Sequence, residues 1–294
     1  MSVKTNPTNI AFVINPISGT SRKRKIERHI AKIFNDTCFN YSIVKTEYSG
    51  HATTLASELS KKYDIVVAVG GDGTLNEVAR GLLNTKAKLG IVPCGSGNGL
   101  ARHLKIPLNP QKALRAIKNG TNHVIDTVVF NGIPFLNLSG IGFDAQVAHK
   151  FSQSVRRGVL SYLYHVVRVY CHFKPIEAEI SIDNVSFSRK TLLIAFANSS
   201  QFGNNAVISP ISDVSDGVFE ICILKPFMFF DIFVVVGRMF TKTMHKCRHL
   251  EIIQTQKATI TTKIPVAAHI DGTPFVIDTN FEIKMNQKAL TIIF

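Results

Sequence analysis

The sequence predicts an α/β domain built on a parallel sheet, followed by an all-β domain, an antiparallel β-sandwich. Three observations point there. In roughly the first 125 residues, apolar runs alternate with segments of helical spacing. Later apolar runs are short, β-rich and separated by turn pairs. A chain of 294 residues with 45% apolar content is large enough to fill two cores.

Taken in order, residues 10–15 form a short β-rich run. Ile26, Ile30 and Ile33 space a helix over 21–34, and 40–45 form a second strand. Residues 52–61 are helical, and 64–69 (DIVVAV) are a continuous apolar run, the pattern of a strand covered on both faces. A helix over 75–83, a strand over 88–92 and a helix over 110–119 complete the alternation. The second half offers strands at 178–182, 191–197, 218–224, 250–254, 258–262, 275–277 and 290–294. Asp183-Asn184, Gly203-Asn204, Asp216-Gly217 and Asp271-Gly272 punctuate them. Helical segments at 161–172 and 227–239 interrupt the pattern. The expected domains are 1–126 and 127–287, with the last strand near 288–294 returning to the first.

Thirty-four Lys and Arg against twenty Asp and Glu give a net charge of +14. An 18% charged fraction is too dilute for a disordered chain, and the sign suggests an anionic partner. No helix-turn-helix, zinc-finger or RNP signature is present, so nucleic acid is not expected. Cys38, Cys94, Cys171, Cys222 and Cys247 share no C-x-x-C spacing and read as reduced thiols in a cytoplasmic protein. The most apolar stretch, 226–240, is shorter than the roughly 20 residues of a membrane span and contains Asp231 and Arg238. Lys242, His245, Lys246, Arg248 and His249 follow it. It reads either as a buried helix with a solvated basic end or as a segment lying at an anionic lipid surface.

Three glycine-rich loops carry the chemistry. They are Asn15-Pro16-Ile17-Ser18-Gly19, Gly70-Gly71-Asp72-Gly73-Thr74 and Pro93-Cys94-Gly95-Ser96-Gly97-Asn98-Gly99. Each follows a strand and precedes a helix, where exposed backbone N–H groups bind phosphate. In open α/β sheets such sites gather at the carboxyl ends of the strands. The second loop is not a Walker P-loop, since it lacks G-x-x-x-x-G-K-[ST]. Asp72 would repel phosphate unless Mg²⁺ bridges them or it accepts a proton from an attacking hydroxyl; the plain alternative is a helix cap.

GGDGTLNEV at 70–78, with NPISG at 15–19 and PCGSGNGLAR at 93–102, resembles the diacylglycerol kinase catalytic family, which includes the bacterial, sphingosine and ceramide lipid kinases. Gly140-Ile141-Gly142-Phe143-Asp144-Ala145 and Thr46-Glu47-Tyr48-Ser49-Gly50-His51-Ala52 resemble two further motifs of that family. GGDGT alone is shared with NAD kinases. The resemblance implies ATP contacts at Asn15, Pro16, Ser18, Gly19, Thr46, Gly70, Gly71, Asp72, Gly73, Thr74, Asn76, Gly95, Ser96 and Asn98. It places Asp72 near the transferred phosphate, and implies a structural Mg²⁺ held by Asp213, Asp216 and Val218.

Two positions depart from the family. Its acidic D-G-E segment reads Asp271-Gly272-Thr273 here, and Thr is no base at neutral pH. Either Asp271 or Asp72 then takes the proton, or the base matters less than positioning, or activity is reduced. The third loop reads G-S-G-N-G instead of G-T-x-N-D, closer to the sphingosine kinases. The expected activity is ATP- and Mg²⁺-dependent phosphorylation of a lipid alcohol such as diacylglycerol or a sphingoid base. The alternatives are an NAD kinase-like enzyme and a catalytically impaired binding protein. Expected partners are the lipid alcohol and an anionic membrane met peripherally, with a homodimer left open.

Overall fold

The β-branched run Ile65–Gly70 is buried at every residue, as a strand covered on both faces must be. A computed structural model describes residues 7–17, 25–152, 159–170, 172–183 and 185–294. The chain divides into two units, Met1–Ile125 with Lys288–Phe294, and Asp126–Gln287.

In the first unit β1 (Thr8–Ile14), α1 (Ile26–Ile33), β2 (Phe39–Lys45), α2 (His51–Leu59), β3 (Ile65–Gly70), α3 (Asp72–Leu82), β4 (Lys88–Pro93), α4 (Gly99–His103) and α5 (Pro110–Asn119) alternate. The strands pair in parallel in the order β2-β1-β3-β4, and Ile292 and Ile293 pair with Leu89 and Gly90 at the β4 edge. The α5 helix shows why these sequences fold locally. The Asn109 side chain accepts from the N–H groups of Gln111 and Lys112, Pro110 presets the first turn, and Ala113, Leu114 and Ile117 face the core. Ile14 lies opposite Val69, and Gly70 opposite Pro93, so the carboxyl ends of β1, β3 and β4 share one edge. All three glycine loops therefore leave the sheet at that edge.

The second unit is built from β5 (Asn122–Phe130), β6 (Ile133–Phe135), β7 (Leu138–Gly142), α6 (Phe143–Ser152), α7 (Val159–Tyr170), β8 (Ile176–Ile182), β9 (Val185–Thr191), β10 (Leu193–Ala197), β11 (Phe219–Leu224), α8 (Asp231–Phe240), β12 (Leu250–Thr255), β13 (Lys257–Thr262), β14 (Val266–Ile270), β15 (Thr273–Ile277) and β16 (Asn280–Ile293). Six strands pair antiparallel in the order β12-β11-β10-β7-β14-β15, facing a second antiparallel group, β16-β13-β8-β9. Phe130, Phe196, Phe219, Ile260 and Phe281 fill the layer between them.

Three differences from the sequence reading have physical causes. The β7 strand, LSGIG, looks like a loop because of its glycines, yet it is buried throughout, and a Cβ on Gly140 would lie 2.4 Å from an Asp144 carboxylate oxygen. The β9 strand, VSFSRKT, is an edge strand with few buried residues, so its apolar alternation stops at Phe187. The final strand begins at Asn280 rather than near 290, because the polar run Asn286-Gln287-Lys288 hides its continuity. Among the described residues no helix is long and apolar enough to cross a membrane.

Candidate functional site

The first loop is tied to the second through Asn15, whose Nδ2 donates to Thr74 Oγ1 at 3.0 Å. Asn15 Oδ1 accepts from Ile17 N–H, turning the chain just after β1. Thr46, buried at the end of β2, donates its N–H to Ile14 O. Pro16 is exposed. Ser18 and Gly19, both expected at this site, lie outside the described residues.

The second and third loops touch backbone to backbone. A Cβ on Gly95 would lie 2.6 Å from Gly71 Cα, so only glycine permits this approach. Asp72 closes the joint: its two carboxylate oxygens accept the N–H groups of Asn98 and Gly99, each at 2.8 Å. Asp72 is the first residue of α3, and the cap position before it is Gly71. Its carboxylate therefore does not cap its own helix but crosses to the next loop. These two charge-assisted bonds offset the repulsion expected of a carboxylate in a phosphate cradle. Asn98, left-handed at φ 51°, folds the third loop on itself: its Oδ1 accepts from Gly95 N–H and its Nδ2 donates to Gly95 O. Thr74 and Asn76 are buried beneath, Ser96 is exposed, and a Cβ on Gly73 would meet nothing within 4 Å. The structure thus gathers Asn15, Gly70 to Thr74, Asn76, Gly95 and Asn98 at one edge.

Glu77 lies inside GGDGTLNEV, where nothing in the motif marks it as a contact to another segment. It accepts N–H groups from Gly50 and Ala52, which docks the Thr46–Ala52 motif against α3.

In the second unit, the segment 212–218 is a turn rich in oxygen. Asp213 accepts from Ser215, Asp216 from Val218 N–H, and buried Asp126 from Gly217 N–H. Partial burial pushes the Asp216 carboxyl up from its ordinary pKa, and the charges of Asp213 and Asp126 add to that. Burial raises Glu220 as well, with Asp216 contributing. Oxygen donors under mutual repulsion suit a hard cation such as Mg²⁺. Among the described residues no group of three or more His, Cys, Asp or Glu side chains is arranged to hold one, so such an ion would depend also on backbone carbonyls.

Asp271 occupies the β14–β15 turn at φ 45°, and Gly272 follows at φ 82°, the two left-handed positions of a type I′ hairpin. Its carboxylate accepts three backbone N–H groups, from Leu136, Asn137 and Leu138. Two residues earlier, His269 Nε2 lies 3.0 Å from an Asp144 carboxylate oxygen; both side chains are buried, and His269 Nδ1 has no hydrogen-bond partner. Each residue lies in its own motif, and 125 residues of chain separate them, so only folding joins the pair. Asp144 also reaches a narrow apolar slot of about 70 Å³, lined among others by Phe143, Leu193, Phe202, Val235 and Met239. Asp144 is the charged residue among those that line it.

Comparison with known proteins yields two domain matches. The diacylglycerol kinase catalytic domain matches residues 9–130. The YegS C-terminal NAD kinase beta sandwich-like domain matches 138–294. A diacylglycerol kinase of Bacillus subtilis (strain 168) is 28% identical over 268 residues, covering 89% of this chain and 88% of its own. One from Staphylococcus saprophyticus is 28% identical over 219 residues, covering 73% of this chain and 72% of its own. The crystal structure of a Bacillus anthracis diacylglycerol kinase superposes with a TM-score of 0.78 at 22% identity, covering 99% of this chain and 98% of that one. A second Bacillus anthracis chain reaches a TM-score of 0.82 at 23% identity, covering 100% and 98%.

Proposed function

The chain belongs to the diacylglycerol kinase family, with its catalytic domain followed by a YegS-type β-sandwich, and on that premise we propose that it transfers the γ-phosphate of ATP to the hydroxyl of a membrane lipid alcohol. The kinase character rests on family membership. The lipid reading is carried by one observation, the apolar slot in the second unit with a single carboxylate in its wall.

In this reading the backbone N–H groups of the glycine loops receive the phosphates. Asp72 holds the second and third loops together, so their amides are already positioned when ATP arrives. Phosphoryl transfer through a loose transition state needs mainly positioning and charge neutralisation, so loss of the family's glutamate at Thr273 removes a helper rather than the reaction. Asp72 serves the reaction by holding the second and third loops in register. Asp271, whose carboxylate holds three N–H groups, serves the reaction by fixing the start of β7. The lipid places a short apolar portion in the slot, and Asp144, oriented by His269, hydrogen-bonds the polar head. Mg²⁺ would be held by Asp213, Asp216 and the Val218 carbonyl, where it would neutralise the crowded carboxylates.

The test is transfer of labelled γ-phosphate from ATP to a total lipid extract, run beside NAD as acceptor. Label in the organic phase supports the proposal. Label on NAD alone would replace the lipid reading with the NAD kinase one. If wild type and Thr273→Glu both leave lipid unlabelled while lipid still binds, the chain is a binding protein.

A further inference from the structure

The helix that walls the apolar slot shows a second apolar face to solvent. Along α8, Ile232, Val235, Val236 and Met239 line the slot, at the spacing of one helical face. Phe233 and Val234 point the other way and are exposed, Phe233 at 66%. The segment leading into the helix adds Met228 at 79% and Phe230 at 80%, with Phe229 between them. Five large apolar side chains within seven positions stand in water. A scattered exposed Leu or Phe needs no explanation, but a contiguous cluster does.

The surroundings of this cluster are basic. After α8 the chain turns at Thr241 and runs back beside the helix. Thr243 N–H donates to Arg238 O at the carboxyl end, and Arg248 pairs with Asp231 at 3.1 Å at the amino end. The returning segment carries Lys242, His245, Lys246 and Arg248, all exposed. An aromatic wedge flanked by cations complements a leaflet of anionic lipid, with rings among the acyl chains and cations at the headgroups. A soluble protein partner would meet the same rings but has no requirement for the cationic flank.

We propose that Met228, Phe229, Phe230, Phe233 and Val234 form a wedge that inserts into an anionic membrane leaflet, seated by Lys242, Lys246 and Arg248. This deepens the lipid-kinase reading and rests on it for its purpose. Because α8 is at once the wedge and a wall of the slot, docking sets the slot beside the lipid it is to receive. The chain then takes its acceptor from the bilayer rather than from solution.

The experiment compares wild type with the double substitution Phe230→Ser and Phe233→Ser. Neither residue lines the slot, and both are exposed, so the melting temperature should not change. Co-sedimentation is measured with phosphatidylcholine vesicles, with and without phosphatidylglycerol. Wild type should bind the anionic vesicles, and binding should weaken when salt rises from about 0.1 M to about 1 M, where the screening length shrinks from about 10 Å to about 3 Å. The double variant should bind about a hundredfold more weakly, each of the two lost rings costing roughly tenfold. Its phosphorylation of a short-chain, monomeric lipid alcohol should stay within about twofold of wild type. Vesicle binding that survives the double substitution overturns the wedge, as does a wild type that ignores vesicles. A variant whose only change is loss of self-association would give the face to a second copy of the chain and overturn the proposal too. If vesicle binding behaves as expected while no lipid alcohol is phosphorylated, the wedge stands and the kinase reading falls.

Discussion

Asp72 in the first unit and Asp271 in the second stand in similar letters, GGDGT and HIDGT, and both spend their carboxylates on backbone N–H groups. Their surroundings differ. Asp72 joins two loops whose backbones touch through Gly71 and Gly95, beside open space at Gly73. Asp271 closes a hairpin and reaches across to the start of β7. The first tie holds two glycine loops together at one edge of the parallel sheet, whereas the second secures one strand against another. A carboxylate in a glycine motif thus reads as chemistry in both places, while one of them joins two glycine loops and the other closes a hairpin.

The sharpest way to break this contrast is Asp72→Asn. The amide keeps an acceptor but turns an NH₂ toward one of the two N–H groups it should receive. Phosphate transfer should fall about a hundredfold or more, in line with the loss of a positioned charged group. Steady-state rates beside a thermal melt would decide it; label transfer equal to wild type would remove Asp72 from the site.

Gly95→Ala probes the same joint without touching charge. A Cβ 2.6 Å from Gly71 Cα must push the loops apart. The KM for ATP should rise about tenfold, with a stability loss of about 1–3 kcal/mol. An unchanged KM would mean that the joint does not shape the nucleotide site.

Asp271→Ala should act on stability first. Three N–H groups lose their acceptor, at about 1–3 kcal/mol each where burial is complete and less here, so the second unit should melt about 6–12 °C lower. Activity below the transition should drop only severalfold. Loss of activity with an unchanged melt would instead make Asp271 the base.

The smallest effect concerns the Asp213–Asp216 turn. The Asp216 and Glu220 carboxyls are raised, so the fold favours their protonated forms. That contribution is complete below the ordinary carboxylate pKa and is lost as pH rises through the raised values. At neutral pH the turn carries charges that a divalent cation can relieve. Millimolar Mg²⁺ should raise the melting temperature by about 1–3 °C at pH 7.5, and less at pH 5. The gain should vanish in Asp216→Asn; an equal gain in that variant would place the ion elsewhere.

Much of the first unit is written in the sequence. The runs 10–15, 64–69 and 88–92 become β1, β3 and β4 because a strand buried on both faces must be apolar throughout, and the glycine loops after them are local in the chain. The 226–240 stretch is equally legible as a segment with two uses, buried helix or lipid contact. What the sequence could not show is anything made by residues distant along the chain. The Asp72 bridge to Asn98 and Gly99, the Glu77 clasp on Gly50, the Asp144–His269 pair and the buried β7 each require two segments to meet. Which face of α8 lines the slot and which faces water likewise depends on what packs against it. Sequence alone determined the strands of the parallel sheet, the glycine loops after them and the family they resemble, since periodicity and motif are short-range properties. Only the tertiary structure decided where each carboxylate spends its hydrogen bonds, since those partners are chosen by packing.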